Sequence, residues 1–338
     1  MNLFFILSIP VSIILINFFL NKLEVLQSLT GDKHQFFVAK KKIPLSGGLL
    51  IVIYSFFLLP FGNELFYFFL IFLIGILSDT KMINSAKIRF LIQFIFIFFL
   101  VVKFQLNLDD IKVPFINYFL EYNIFSYSFF AFCLLIVING TNFIDGLNGL
   151  VIGYYSIVLS IILFLGFEEI FFDMNGIILN YLLILFFLLI FNFFDRLYLG
   201  DSGSYLIGFA LGALLISIYK EIPFFSPFFI VLLLWYPCFE NLFSILRKFQ
   251  LKKSPIKPDS NHLHQILFFY LKKKYKLRSI SANNNASLII LLYNLIIFSI
   301  GIQNISNTQF QIILLIINIL IYCAIYFKLF AYKYKLKI

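Results

Sequence analysis

Charged residues are scarce in this sequence. Asp, Glu, Lys and Arg make up 12% of its 338 residues, against about 25% in a typical soluble domain. Apolar residues supply 62% and the mean hydropathy is +0.99. So little charge cannot cover a globule with a hydrated surface, which excludes a water-soluble domain. A disordered chain is excluded too, because disorder needs high charge and low hydrophobicity. Cysteine is nearly absent: Cys133, Cys238 and Cys323 lie far apart inside apolar runs. With no CxxC pair, neither a zinc site nor a disulfide framework is expected. The first run, Leu3–Leu20, starts without a basic segment and ends without a small-residue cleavage motif. It reads as a retained membrane span and not as a cleaved signal. No repeat of fixed period is visible, and the only sizeable polar stretch is 247–285.

What the chain has in abundance is apolar runs. Ten follow the first, at about 47–62, 64–77, 88–103, 126–138, 149–167, 176–194, 203–219, 224–246, 286–302 and 308–327. One membrane-crossing helix takes about 20 such residues. The expected architecture is an all-α polytopic bundle of about eleven transmembrane helices, forming a single integral-membrane domain over 1–338. The 49 phenylalanines fit a compositional bias and carry no functional weight.

The few charges orient the bundle. Of 26 Lys and Arg, 23 fall in the loops at 21–46, 78–89, 139–148, 195–202 and 247–285 and in the tail from 328. The opposite ends hold only Lys103, Lys112 and Lys220, while the acids divide evenly. Basic residues mark the cytoplasmic side. The N-terminus is thus expected outside and the C-terminus inside, with 247–285 as a basic cytoplasmic loop. The net charge of +10 is a topology signal with attraction to anionic lipid, not a mark of nucleic-acid binding.

Five polar clusters interrupt the cytoplasmic ends of the runs. Lys40-Lys41-Lys42 precedes Pro44-x-x-Gly47-Gly48, where helix-start N–H groups favour anions, although juxtamembrane lysines also serve as topology anchors. Ser78-Asp79 is followed by Lys87 and Arg89 at the mouth of the next run; a capped helix end would look the same. Asn139, Asn142 and Asp145 are spaced i, i+3, i+6, which would align them on one helix face, and Gly146, Asn148 and Gly149 follow. Asn192 precedes Tyr198-Leu-Gly200-Asp201-Ser202-Gly203, a run with one carboxylate at the start of a span. Mg²⁺ takes one or two carboxylates plus phosphate oxygens; capping by Asp201 is the structural alternative. Finally, Arg247, Lys252, Lys253 and Ser254-Pro255 lead to Asp259, His262 and His264, a mix suited to diphosphate.

Together these segments resemble the polyprenyl-phosphate N-acetylhexosamine-1-phosphate transferases. That family includes the phospho-MurNAc-pentapeptide translocases and the enzymes that start O-antigen and other surface glycans. The resemblance spans about 31–265, with five motifs in the family's order. Three positions depart from the pattern: Ser78 replaces the first acid of an acidic pair, Asn148 the second acid of the Asp-Gly motif, and Gln265 a third histidine. The His loop resembles the glycan-initiating branch.

The resemblance implies transfer of a sugar-1-phosphate from a UDP-sugar to polyprenyl (undecaprenyl) phosphate, releasing UMP. It places the enzyme in the bacterial inner membrane with its active site on the cytoplasmic face, as the first membrane step of O-antigen or other surface-polysaccharide synthesis. Asp201 would hold Mg²⁺, or Mn²⁺ in its place. Asp79 would face the lipid phosphate, as base or as positioner. Asp145, with Asn139, Asn142 and Asn192, would hold substrate or water. Lys41, Lys87, His262 and His264 would clamp phosphate oxygens, and Tyr198 and Asn148 would flank uracil. A homodimer is compatible with this reading. The alternatives are a phospho-MurNAc-pentapeptide transferase, a secondary transporter, which would place its charges near the bilayer midplane, and an inactive scaffold homologue.

Overall fold

The computed structural model describes residues 3–28, 42–59, 63–83, 85–166, 174–222, 224–252, 254 and 260–335. Apolar side chains shield the backbone of each run, and in hydrocarbon the backbone must bond within its own segment. The runs accordingly form helices: α1 (Leu3–Leu23), α2 (Gly47–Leu58), α3 (Asn63–Asp79), α4 (Ala86–Phe104), α6 (Asn123–Ile144), α7 (Leu150–Phe164), α8 (Met174–Phe193), α9 (Gly200–Glu221), α13 (Ser279–Ile302) and α14 (Thr308–Tyr334). Between them lie α5 (Pro114–Leu120), the pair α10 (Pro227–Leu233) and α11 (Trp235–Gln250), and α12 (Leu263–Lys274). Among the described residues there is no β-strand, only an antiparallel bridge between Gln27 and Pro44. The protein is an all-helical, multi-pass membrane bundle.

By length and composition, six described helices can cross a bilayer: α1, α6, α8, α9, α13 and α14. Others are too short to cross a core about 30 Å thick at 1.5 Å per residue: α2 has 12 residues and α7 has 15. α4 is longer, with 19 residues, but carries Lys87, Arg89 and Lys103.

The run at 224–246 is not one straight helix. It breaks at Leu234, and α10 and α11 meet at 75°. Pro237 in the first turn of α11 has no N–H to give. At the break, the Tyr154 hydroxyl donates to the Leu233 carbonyl at 2.9 Å, satisfying a group that the missing helical bond would orphan. After the break α11 is amphipathic with its polar side inward. Glu240, Asn241, Ser244, Arg247 and Lys248 are buried, whereas Leu242, Ile245, Leu246 and Phe249 are exposed. In a membrane, that outer face meets hydrocarbon.

The most enclosed span is α9, packed against α2, α3 and α6. The segment before α2 docks onto its start through backbone bonds. Tyr198 N–H donates to the Pro44 carbonyl at 2.9 Å, and the N–H groups of Gly47 and Gly48 donate to the carbonyls of Tyr198 and Leu199 at 3.1 and 3.2 Å. The Pro44-x-x-Gly47-Gly48 motif thus braces the first turn of α9.

Candidate active site

Four helix ends converge around Asp201: the C-termini of α3 and α6 and the N-termini of α4 and α9. Asp201 lies in the first turn of α9 but does not cap that helix. Asp79, the last residue of α3, does so. Its two oxygens accept the N–H groups of Asp201 and Ser202 at 2.8 and 3.1 Å, where the helix dipole favours an anion. Gly200 makes this possible, with φ at +75°, and a Cβ there would lie 2.8 Å from the Asp79 carboxylate.

The Asp201 carboxylate is therefore free of its own backbone and gathers side chains. Asn142 Nδ2 donates to Oδ1 at 2.6 Å. On Oδ2, Arg89 pairs at 3.0 Å, the Ser78 hydroxyl donates, and Arg89 also donates to Ser78. The Tyr205 hydroxyl reaches the same oxygen at 3.4 Å. Ser78, which departs from the family's acid, is thus a bridge between Arg89 and Asp201. Arg89 is a site residue by geometry, because only the α3–α9 crossing shows where its guanidinium ends.

Asp145 follows the last residue of α6, beside these groups. Burial, then the Asp201 and Asp79 carboxylates, push it up to about 8. Asn139, one face further round α6, donates to Gln93 at 3.1 Å and to the Leu135 carbonyl at 2.9 Å. It is thus turned toward α4.

A second cluster lies where α7 and α9 begin. Asn148 Nδ2 donates to Asp195 at 2.7 Å, and the Tyr198 hydroxyl reaches the same Asp195 oxygen at 3.4 Å. The departure at Asn148 therefore sits against a carboxylate that the motif reading did not single out, and burial raises the Asp195 pKa. Asn192 is a brace. Its amide oxygen accepts the Gly149 N–H, and its Nδ2 donates to the Leu197 carbonyl at 2.9 Å. Both ends of that side chain serve the loop geometry.

The His motif closes the site from α12. His262 is the N-cap of this helix, and Gln265, the third departure, returns a bond to the His262 N–H at 3.3 Å. The rings of His262 and His264 stack 5.6 Å apart, and Phe143 of α6 lies 5.5 Å from His262. A Cβ on Gly146 would stand 2.7 Å from His264 Nε2. Asp145 and the imidazoles are thus at one end of one bundle. Lys87 is exposed at the start of α4. Lys41, with Lys40, His34, Lys253, Pro255 and Asp259, lies outside the described residues.

His264 is fully buried, and neither ring nitrogen has a partner among the described residues. Burial, then His262, lowers its pKa to about 3. The unfolded chain would bind a proton near 6.5 that the folded chain refuses until about 3. Stability is thus lost as pH falls from about 6.5 toward 3. Thermal midpoints measured across that window should drop less for His264→Phe than for the natural chain; equal slopes would rule out this group as the source.

Among the described residues no three His, Cys, Asp or Glu form a ready cation cage. The donor set still fits Mg²⁺, which takes one or two carboxylates and draws its remaining ligands from phosphates and water. Asp201 offers one carboxylate, and Asp145 lies near enough to feel its charge.

Residues 64–219 match the model of glycosyl transferase family 4. That stretch holds Asp79, Asn142, Asp145 and Asp201 but stops before the histidines. The chain is 29% identical over 258 residues to a probable undecaprenyl-phosphate N-acetylglucosaminyl 1-phosphate transferase of Bacillus subtilis (strain 168), covering 75% of this chain and 68% of that protein. It is 26% identical over 148 residues to an undecaprenyl-phosphate alpha-N-acetylglucosaminyl 1-phosphate transferase of Thermotoga maritima, covering 41% of this chain and 42% of that one. With these acids, amides and imidazoles gathered at one end of a membrane bundle, the chain is similar to glycosyl transferase family 4 over residues 64–219, a little under half of its length.

Proposed function

We propose that the protein transfers an N-acetylhexosamine-1-phosphate from a UDP-sugar to polyprenyl phosphate, with release of UMP. The observation that carries this reading is the meeting of Asp79, Asn142, Asp145 and Asp201 at the ends of three apolar helices, beside Arg89. A lipid phosphate reaches only the membrane surface, and so do these groups. A transporter would instead set its charges near the midplane of broken helices. The distribution of Lys and Arg supports an N-terminus outside and a site on the cytoplasmic face.

Phosphoryl transfer depends mainly on positioning and on neutralising charge. Asp201 would hold Mg²⁺ together with diphosphate oxygens, with Asp145 facing the same ion. When bound, the ion would lower the charge on the departing UMP. Arg89 and Asn142 fix both oxygens of Asp201 before substrate arrives, so little reorganisation remains. His262, His264 and Lys87 would bind phosphate oxygens, while Tyr198 and the Asn148–Asp195 pair would meet the nucleobase.

Asp79 supports α9 in this scheme and is not a base. A lipid phosphate monoester, with a second pKa of about 6, is already largely dianionic at pH 7. Asp79→Asn should lower turnover about 10- to 100-fold by turning one N–H acceptor into a donor at the helix start. High pH should not restore the rate; restoration would make Asp79 the base. The reaction itself is tested with purified protein, radiolabelled UDP-N-acetylhexosamines, polyprenyl phosphate and Mg²⁺. Labelled lipid and UMP in equal amounts are expected, and binding of UDP-sugar without turnover would mark an inactive homologue.

A further inference from the structure

The kinked helix α11 carries one acid, Glu240, and its side chain is fully buried. Removing a carboxylate from water costs several kcal/mol unless it is well paired, so a carboxylate at such a position calls for strong partners. It has three. His262 Nδ1 lies 2.9 Å from Oε1, the Leu263 N–H donates to Oε1 at 3.2 Å, and the Tyr322 hydroxyl of α14 donates to Oε2 at 2.7 Å. A carboxylate only accepts, so the proton in the first contact belongs to Nδ1. All three partners therefore depend on the acid for the same thing: an acceptor at a fixed point.

Two of those partners are the N-cap of α12 and its first helical residue. Glu240 thus fixes both where α12 begins and how the His262 ring is turned. The ring is further confined between Phe143, two residues before Asp145, and His264. The residue before it is tied from the other side. The Asn261 carbonyl accepts from Arg247 at 2.5 Å and from the Tyr326 hydroxyl at 3.1 Å, and the Asn261 side chain accepts from Lys333 at 2.8 Å. Thus α11 and α14 together clamp the entry to the His motif, and Glu240 is the part of the clamp that touches the imidazole.

We propose that Glu240 is the positioning residue of the His motif, holding a proton on Nδ1 of His262 and so fixing the tautomer and angle at which that ring enters the active site. The proposal rests on the reading of His262 as a substrate-binding group. Such an acid is hard to see in the sequence, because it sits inside an apolar run and more than twenty residues before the histidines.

The test uses the full-length protein in lipid nanodiscs with ¹⁵N-labelled histidine. The chain has three histidines, so single His34 and His264 variants assign the spectrum. In the natural chain, Nδ1 of His262 should carry a proton. A bare Nδ1 overturns the proposal without any variant at position 240. Glu240→Met removes the acceptor at similar volume. It should release that proton from Nδ1 and lower kcat about 10- to 100-fold, the usual effect of losing the partner that orients a functional histidine. Glu240→Gln should keep the Nδ1 proton and most of the turnover, since its amide oxygen can accept both N–H groups while its NH₂ turns toward Tyr322. Equal losses in both variants with an unchanged His262 spectrum would leave Glu240 only a packing role and sink the proposal. The spectra need no substrate. Absence of sugar-phosphate transfer by the natural chain would thus remove the proposed function and leave the His262 assignment to be judged separately.

Discussion

Asp201→Ala should abolish transfer, with turnover down by about 10³-fold or more, equivalent to about 4 kcal/mol of lost transition-state stabilisation. The size of this effect follows from what the carboxylate does at one point. It is the joint partner of Arg89, Asn142, Ser78 and Tyr205, and it is the group best placed to share an ion with a diphosphate. Removing it leaves Arg89 without its anion, so a cation would have to be held where a positive charge now stands uncompensated. Raising Mg²⁺ should not restore the rate. Asp201→Asn should fare little better, because it preserves the shape but not the charge. The measurement is UMP release as a function of Mg²⁺ concentration, beside a thermal-shift control for folding. If Asp201→Ala keeps normal Mg²⁺-dependent turnover, the ion is held elsewhere and the proposed mechanism fails.

The residues of this site differ in how far the sequence could reveal them. Asp201, Asp145 and Asn142 stand out because each interrupts or abuts an apolar run, where polar groups are costly, and the histidines stand out as the imidazoles of the one sizeable polar stretch. The helices were legible for the same reason: each of the eleven apolar runs holds helix, although one is broken at Leu234. What could not be read is whatever depends on two runs crossing. Asp79 looks like a residue awaiting substrate, yet its oxygens are taken by the N–H groups of α9, more than a hundred residues away. Asn192 sits in a motif but acts as a brace between Gly149 and Leu197. Arg89, Asp195 and Glu240 gain their roles only from tertiary partners. The run at 224–246 reads as one span although Pro237 is compatible with the break before α11, and the inward turn of that helix's polar face does not follow from a proline.

The second large effect concerns how α3 and α9 meet. Gly75→Ala should both destabilise the protein and lower its activity. A Cβ at position 75 would lie 2.2 Å from the Ser202 Cα, 2.6 Å from the Ser202 nitrogen and 3.0 Å from the Asp201 carbonyl carbon. All three are backbone atoms in the first turn of α9, so no flexible side chain can move aside. The helices must part, and overpacking of this kind costs about 1–3 kcal/mol. The displaced turn is the one that Asp79 caps and that carries Asp201. A shift of about 1 Å there is enough to cost roughly 100-fold in rate. Gly176 of α8 is the control, since a Cβ there meets nothing within 4 Å among the described residues. Gly176→Ala should be neutral or stabilising, by up to about 1 kcal/mol, because alanine is the better helix former. Thermal unfolding, followed through the single tryptophan, Trp235, would be compared with transfer rates for both variants. Were Gly75→Ala to match the natural chain in both, α3 and α9 would not cross at this residue, and the joint placement of Asp79 and Asp201 would fall with that crossing.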